Sequence, residues 1–121
     1  MLIDVRSDHL KIVQEIVKRH IPNHEVWVFG SRARHTAKGT SDLDLCVKGK
    51  EPLSFELLAH LRDDFSESNL PYKVDVVDWH SITGSFRTII ERDKVVLPDI
   101  ALEPKISKAK PLRKRKGMND G

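Results

Sequence analysis

Apolar residues along the chain recur at two different spacings. Leu10, Val13, Ile16 and Val17 repeat at helical intervals, which predicts a helix running to about Arg19 with those side chains inward. Ser7 is placed to cap it and Pro22 to end it. Val26-Trp27-Val28-Phe29 is a continuous apolar run, as expected of a buried strand. A short helix, Arg32 to Lys38, is predicted next. Asp42-Leu43-Asp44-Leu45-Cys46-Val47 then alternates strictly, the signature of a strand with two unlike faces. Leu53, Leu57, Leu58, Leu61 and Phe65 return to helical spacing, with Pro52 near the start. A third strand is predicted from about Tyr72 to Asp78 and a last helix, marked by Phe86, Ile89 and Ile90, to about Arg92. Val95-Val96-Leu97 can add a short edge strand. These elements describe an α/β (α+β) fold: one small mixed sheet backed by helices, without an internal repeat.

The alternation in the second strand sorts its chemistry. Leu43, Leu45 and Val47 share one face, while Asp42 and Asp44 share the other. Two carboxylates at i and i+2 lie about 7 Å apart. At an effective dielectric of about 20 they repel by roughly 2 kcal/mol. A divalent cation between them removes that cost, and Mg²⁺ suits it, being a hard ion usually held by one or two carboxylates plus substrate phosphates. Taken alone, an Asp-x-Asp is more often a polar strand edge facing water. Upstream, however, stands Gly30-Ser31. Gly30 lets phosphate oxygens approach the backbone, Ser31 offers a hydroxyl where the short helix begins, and such a start favours anions. Arg32, Arg34 and Lys38 add cationic donors. A Gly-Ser after a strand is usually only a turn. Set beside a paired carboxylate, it becomes apparatus for a nucleoside triphosphate.

The stretch Gly30 to Leu45, GSRARHTAKGTSDLDL, resembles the nucleotidyltransferase signature of the DNA polymerase beta superfamily: Gly-Ser, ten residues, then Asp-x-Asp. GSRAR followed by SDLDL is similar to the minimal nucleotidyltransferases, small proteins that are often the antitoxin half of a module whose other half is a helical HEPN toxin. The likeness runs from about Leu10 through Phe65–Pro71 and Val74-Asp75-Val76-Val77-Asp78-Trp79 to Val96. It implies a nucleotidyltransferase fold, ATP as substrate, and Mg²⁺ in a two-metal site held by Asp42, Asp44 and a third acid on a neighbouring strand. Asp75 and Asp78 are the candidates. Alternation puts Asp75 opposite Val74 and Val76, and the family pattern selects it, as metal ligand and as general base for the attacking hydroxyl; Asp78 is expected to cap the strand or the following helix. By the same resemblance Gly30, Ser31, Arg34 and Ser41 bind the nucleotide. One departure stands out: the family usually has Gly after the second Arg, and this chain has His35, which fits less well if that position needs φ > 0.

Composition sets limits. A chain of 121 residues is one domain. The expected division is a nucleotidyltransferase domain over 1–104 and a basic, disordered tail over 105–121. The tail holds seven Lys/Arg and one acid, Asp120, so the remainder carries −3 of the net +3. A tail of that kind can make a weak contact with nucleic acid or with an acidic partner, or simply be solvated. An acidic remainder argues against a dedicated nucleic-acid surface. No apolar run approaches a membrane span, and the start of the chain lacks a signal-peptide pattern. The single Cys46 cannot form an internal disulfide, so a cytoplasmic location is expected. Cys46 falls on the aspartate face but lacks the context of a nucleophile. His20 and His24 are separated by Pro22, which excludes a helical zinc pair.

Three functions fit. The first is an antitoxin that transfers AMP from ATP to a hydroxyl, a tyrosine by family resemblance, of a HEPN RNase toxin. The second is an antitoxin acting by binding alone. The third is a nucleotidyltransferase with an RNA or small-molecule acceptor. The intact acid triad favours the first over the second. The lack of an acceptor-binding domain disfavours the third.

Overall fold

The computed structural model describes residues 3–98; the basic tail at 105–121 lies outside the described residues. Helix α1 spans Ser7–His20. Its inward side chains Val13 and Ile16 are buried, with Leu10 and Val17 partly so. Ser7 does not cap it: Arg6 holds the N-cap position without a side-chain bond, and pairs with Asp8 at 3.0 Å instead. Strand β1 is Glu25–Phe29 and helix α2 is Ser31–Arg34. Helix α2 is a single turn, shorter than the expected Arg32 to Lys38, because His35 turns left-handed (φ 60, ψ 37) and closes it with a bond from its N–H to the Ser31 carbonyl. Strand β2 is Leu43–Lys48, so Asp42 stands just before the strand rather than within it.

Helix α3, Phe55–Glu67, starts where the Ser54 hydroxyl accepts from the Leu57 amide at 3.1 Å. Strand β3, Val74–Asp78, leads into a 3₁₀ turn at Trp79–Ser81, then helix α4, Gly84–Asp93, and strand β4, Val95–Val96. The sheet order is β3-β2-β1-β4. Strand β1 pairs antiparallel with β2 and β4, whereas β2 and β3 run parallel. Parallel neighbours need a crossover, and α3 supplies it.

One sheet face is apolar throughout. Val26, Val28, Leu43, Leu45, Val47 and Val76 pack there with α1 and with Leu61 and Phe65 of α3. The other face is divided. Trp27, Phe29 and Cys46 form a small second core with Ile90 of α4, leaving the aspartates at one end. Of the three apolar residues that marked α4, only Ile90 is buried; Phe86 and Ile89 are exposed.

Candidate active site

The register of the sheet assembles the site. Phe29 is opposite Asp44 across the β1–β2 pair, and Asp44 is opposite Asp75 across the β2–β3 pair. Asp44 and Asp75 are therefore lateral neighbours on one face. A neighbouring carboxylate raises the cost of ionising Asp44. The Asp44 carboxyl is pushed up to about 6, first by partial burial, then by the charges of Asp75 and Asp42. Asp75 remains open to solvent and reaches Lys73 Nζ at 3.4 Å. Asp78 is placed quite differently. It is buried, takes the Leu53 amide at 2.8 Å and caps the 3₁₀ turn through the His80 amide at 3.1 Å. The structure thus separates the two acids of β3 into one facing the cleft and one holding a corner together.

Gly30 ends β1 and opens α2, with φ 74 and ψ −156, a conformation essentially restricted to glycine. There is a second constraint. A β-carbon at this position would run into Asp44 Oδ2 and stand 3.3 Å from Asp44 Cγ. The Gly-Ser turn is thus seated directly on the central carboxylate. Ser31 begins α2 just beyond. Arg34 extends from its end, half exposed, 3.9 Å from Asp93. Ser41 is engaged locally: its hydroxyl accepts the Lys38 amide at 2.8 Å and closes the loop that leads to Asp42.

Arg32 does not join the phosphate-facing cations that the sequence suggested. It is 5% exposed, and its guanidinium donates to backbone carbonyls and stacks on the Tyr72 ring at 4.0 Å. Residue type alone gives no sign of this, since the acceptors are carbonyls set by loop conformation. Cys46 is fully buried, and burial pushes its thiol up to about 11, so it packs rather than reacts.

A cleft of about 750 Å³ runs along β3, lined by Asp44 and Asp75, by Phe29 and Phe86, and by Tyr72 and Lys73 among others. Its acidic, oxygen-only donors suit a hard divalent cation, and Asp44 carries the like-charge burden that such an ion relieves. Among the described residues no three His, Cys, Asp or Glu side chains are drawn together closely enough to enclose an ion by themselves. Magnesium, where bound by one or two carboxylates, commonly takes the rest of its shell from water and substrate phosphates. No helix among the described residues is long and apolar enough to cross a membrane.

Comparison with known proteins agrees with this geometry. The family model "Polymerase beta, Nucleotidyltransferase" matches residues 11–100. A Haemophilus influenzae protein named "Probable protein adenylyltransferase MntA" is 42% identical over 97 residues, covering 80% of this chain and 85% of its own. A crystal structure of a toxin-antitoxin with AMP-PNP superposes with TM-score 0.64 at 22% identity, covering 74% of this chain and 73% of the other. That of the toxin-antitoxin MntA-HepT gives 0.53 at 18% identity, covering 79% and 74%. At those identities the two structures speak for the fold. The family match and the adenylyltransferase relative go further: this chain belongs to the polymerase beta nucleotidyltransferase family.

Proposed function

We propose that this nucleotidyltransferase is a protein adenylyltransferase acting as an antitoxin: it transfers AMP from ATP to a hydroxyl, a tyrosine by family resemblance, of a partner HEPN RNase toxin and so neutralises it. The observation that carries the reading is the Gly30 backbone seated against Asp44, with Asp75 alongside. A phosphate held on that turn would bring its reacting phosphorus next to two carboxylates on rigid strands. The 42% identical MntA relative supports the acceptor class.

In this reading Gly30 and Ser31 bind the triphosphate through backbone and hydroxyl, with Arg34 and Ser41 assisting. Asp42, Asp44 and Asp75 would hold magnesium, which when bound neutralises charge on the phosphates and on the leaving pyrophosphate. Asp75, partly exposed and lining the cleft, takes the proton of the partner hydroxyl. The hydroxyl oxygen bonds to the α-phosphorus, the bond from that phosphorus to the bridging oxygen breaks, and pyrophosphate leaves. Phe29 and Val77 give this cleft part of its apolar lining.

The test is to incubate the protein with a candidate HEPN toxin, ATP and Mg²⁺, and to weigh that toxin by mass spectrometry. An AMP-sized gain that vanishes with Asp42→Asn and Asp44→Asn is expected. A partner that stays unmodified, yet is inhibited equally by the double variant, would replace this reading with neutralisation by binding alone.

A further inference from the structure

Arg32 is a fully charged side chain in the protein interior, and the reaction as described gives it no part. Removing a guanidinium from water is costly unless its donors are satisfied. Here they are satisfied in a particular way. Nε and Nη2 donate to the Ser41 carbonyl at 3.1 and 2.8 Å. Nη2 also reaches the carbonyls of Gly39 at 3.1 Å and Lys38 at 3.4 Å, and Nη1 that of Asp4 at 2.9 Å. The flat face of the guanidinium lies on Tyr72.

These contacts tie together separate parts of the site. Arg32 follows Ser31 of the nucleotide turn. Ser41 precedes Asp42. Tyr72 precedes Lys73, whose carbonyl accepts the Leu43 amide at 2.9 Å where β2 joins β3. A single planar donor thus spans the phosphate turn, the approach to Asp42 and Asp44, and the approach to Asp75. The turn itself does not depend on this side chain. Its backbone is closed by bonds from the Ala33 and Arg34 amides to the Gly30 carbonyl and from Thr36 to Ser31.

We propose that Arg32 is a positioning residue that fixes the carboxylate-bearing strand ends relative to the nucleotide turn, so that its loss impairs transfer far more than nucleotide binding. The proposal rests on the reading of Asp42, Asp44 and Asp75 as the reacting carboxylates. Lysine cannot replace it, having three donors on a flexible stem and no plane to stack.

The experiment compares wild type with Arg32→Met and Arg32→Lys in the full chain. It measures amide hydrogen exchange, affinity for a non-hydrolysable ATP analogue with Mg²⁺, and the rate of AMP transfer to the partner per folded molecule. Faster exchange is expected at Ser41 and Leu43 but not in α3, with analogue affinity little changed. Transfer should fall on the order of 10- to 100-fold, the scale of a misplaced catalytic group. If Arg32→Met does not fold, Arg32→Lys decides, since it keeps the buried charge. Unchanged exchange with an unchanged rate per folded molecule would overturn the proposal. So would a loss of analogue affinity with the maximal rate intact, which would make Arg32 a phosphate ligand after all. If wild type itself transfers no AMP, the proposed function fails, and the exchange measurement still reports whether Arg32 holds the strand ends.

Discussion

The backbone of Gly30 lies directly against the carboxylate of Asp44, which leaves no space for a side chain between them. Gly30→Ala therefore meets two penalties. The backbone conformation costs about 1–3 kcal/mol for a residue other than glycine, and the new methyl displaces the central acid. Chemical denaturation should show the first. The second should appear as a fall in transfer rate on the order of 100-fold.

Asp44 makes stability depend on pH in an identifiable direction. Its carboxyl is raised to about 6 from 3.8, so the folded chain holds that proton more tightly than the unfolded chain. The associated stability is fully present below the unfolded value and is lost as pH rises through about 6. In the absence of metal, wild type should lose stability relative to Asp44→Asn across that window. Melting temperatures of both proteins from acid to neutral pH test this. Added Mg²⁺ should stabilise wild type increasingly above the same point, where it no longer competes with the proton.

The two acids of β3 should respond in opposite ways. Asp75 is open to solvent, so Asp75→Asn should leave the melting temperature nearly unchanged while slowing transfer on the order of 10²- to 10⁴-fold. Asp78→Ala strands the amides of Leu53 and His80. It should cost about 2–3 kcal/mol with little change in rate per folded molecule. Parallel unfolding and transfer assays separate the two.

His35 sits at φ 60, where a β-carbon costs roughly 1–2 kcal/mol. Comparing His35→Gly with His35→Ala removes the imidazole from both and leaves only the backbone effect. The glycine variant should melt higher by about 4–8 °C for each kcal/mol of difference in a domain of this size.

Strand alternation carried most of what the sequence revealed. It places Leu43, Leu45 and Val47 against the helices, turns Asp44 toward the cleft, and separates Asp75 from Asp78, because period two is a local property of the chain. Arg32 was unreadable for the opposite reason. Its acceptors are carbonyls of Asp4, Lys38, Gly39 and Ser41, which any residue can supply. The division of the acidic face was equally hidden, since Cys46 becomes core only when Ile90 reaches it from α4. The end of α2 at His35 ran against the ordinary preference for glycine in a left-handed position, so helical propensity extended that element too far.

The parallel pairing of β2 with β3 also has a temporal consequence. During synthesis the Gly30-Ser31 bend and the first two acids emerge together, but Asp75 on β3 arrives only after an entire helix has been made. A nascent fragment that stops short of that strand possesses half an apparatus. Under the proposed function, a chain that stops before β3 lacks Asp75 and is expected to transfer no AMP, so activity would report that the crossover has been completed.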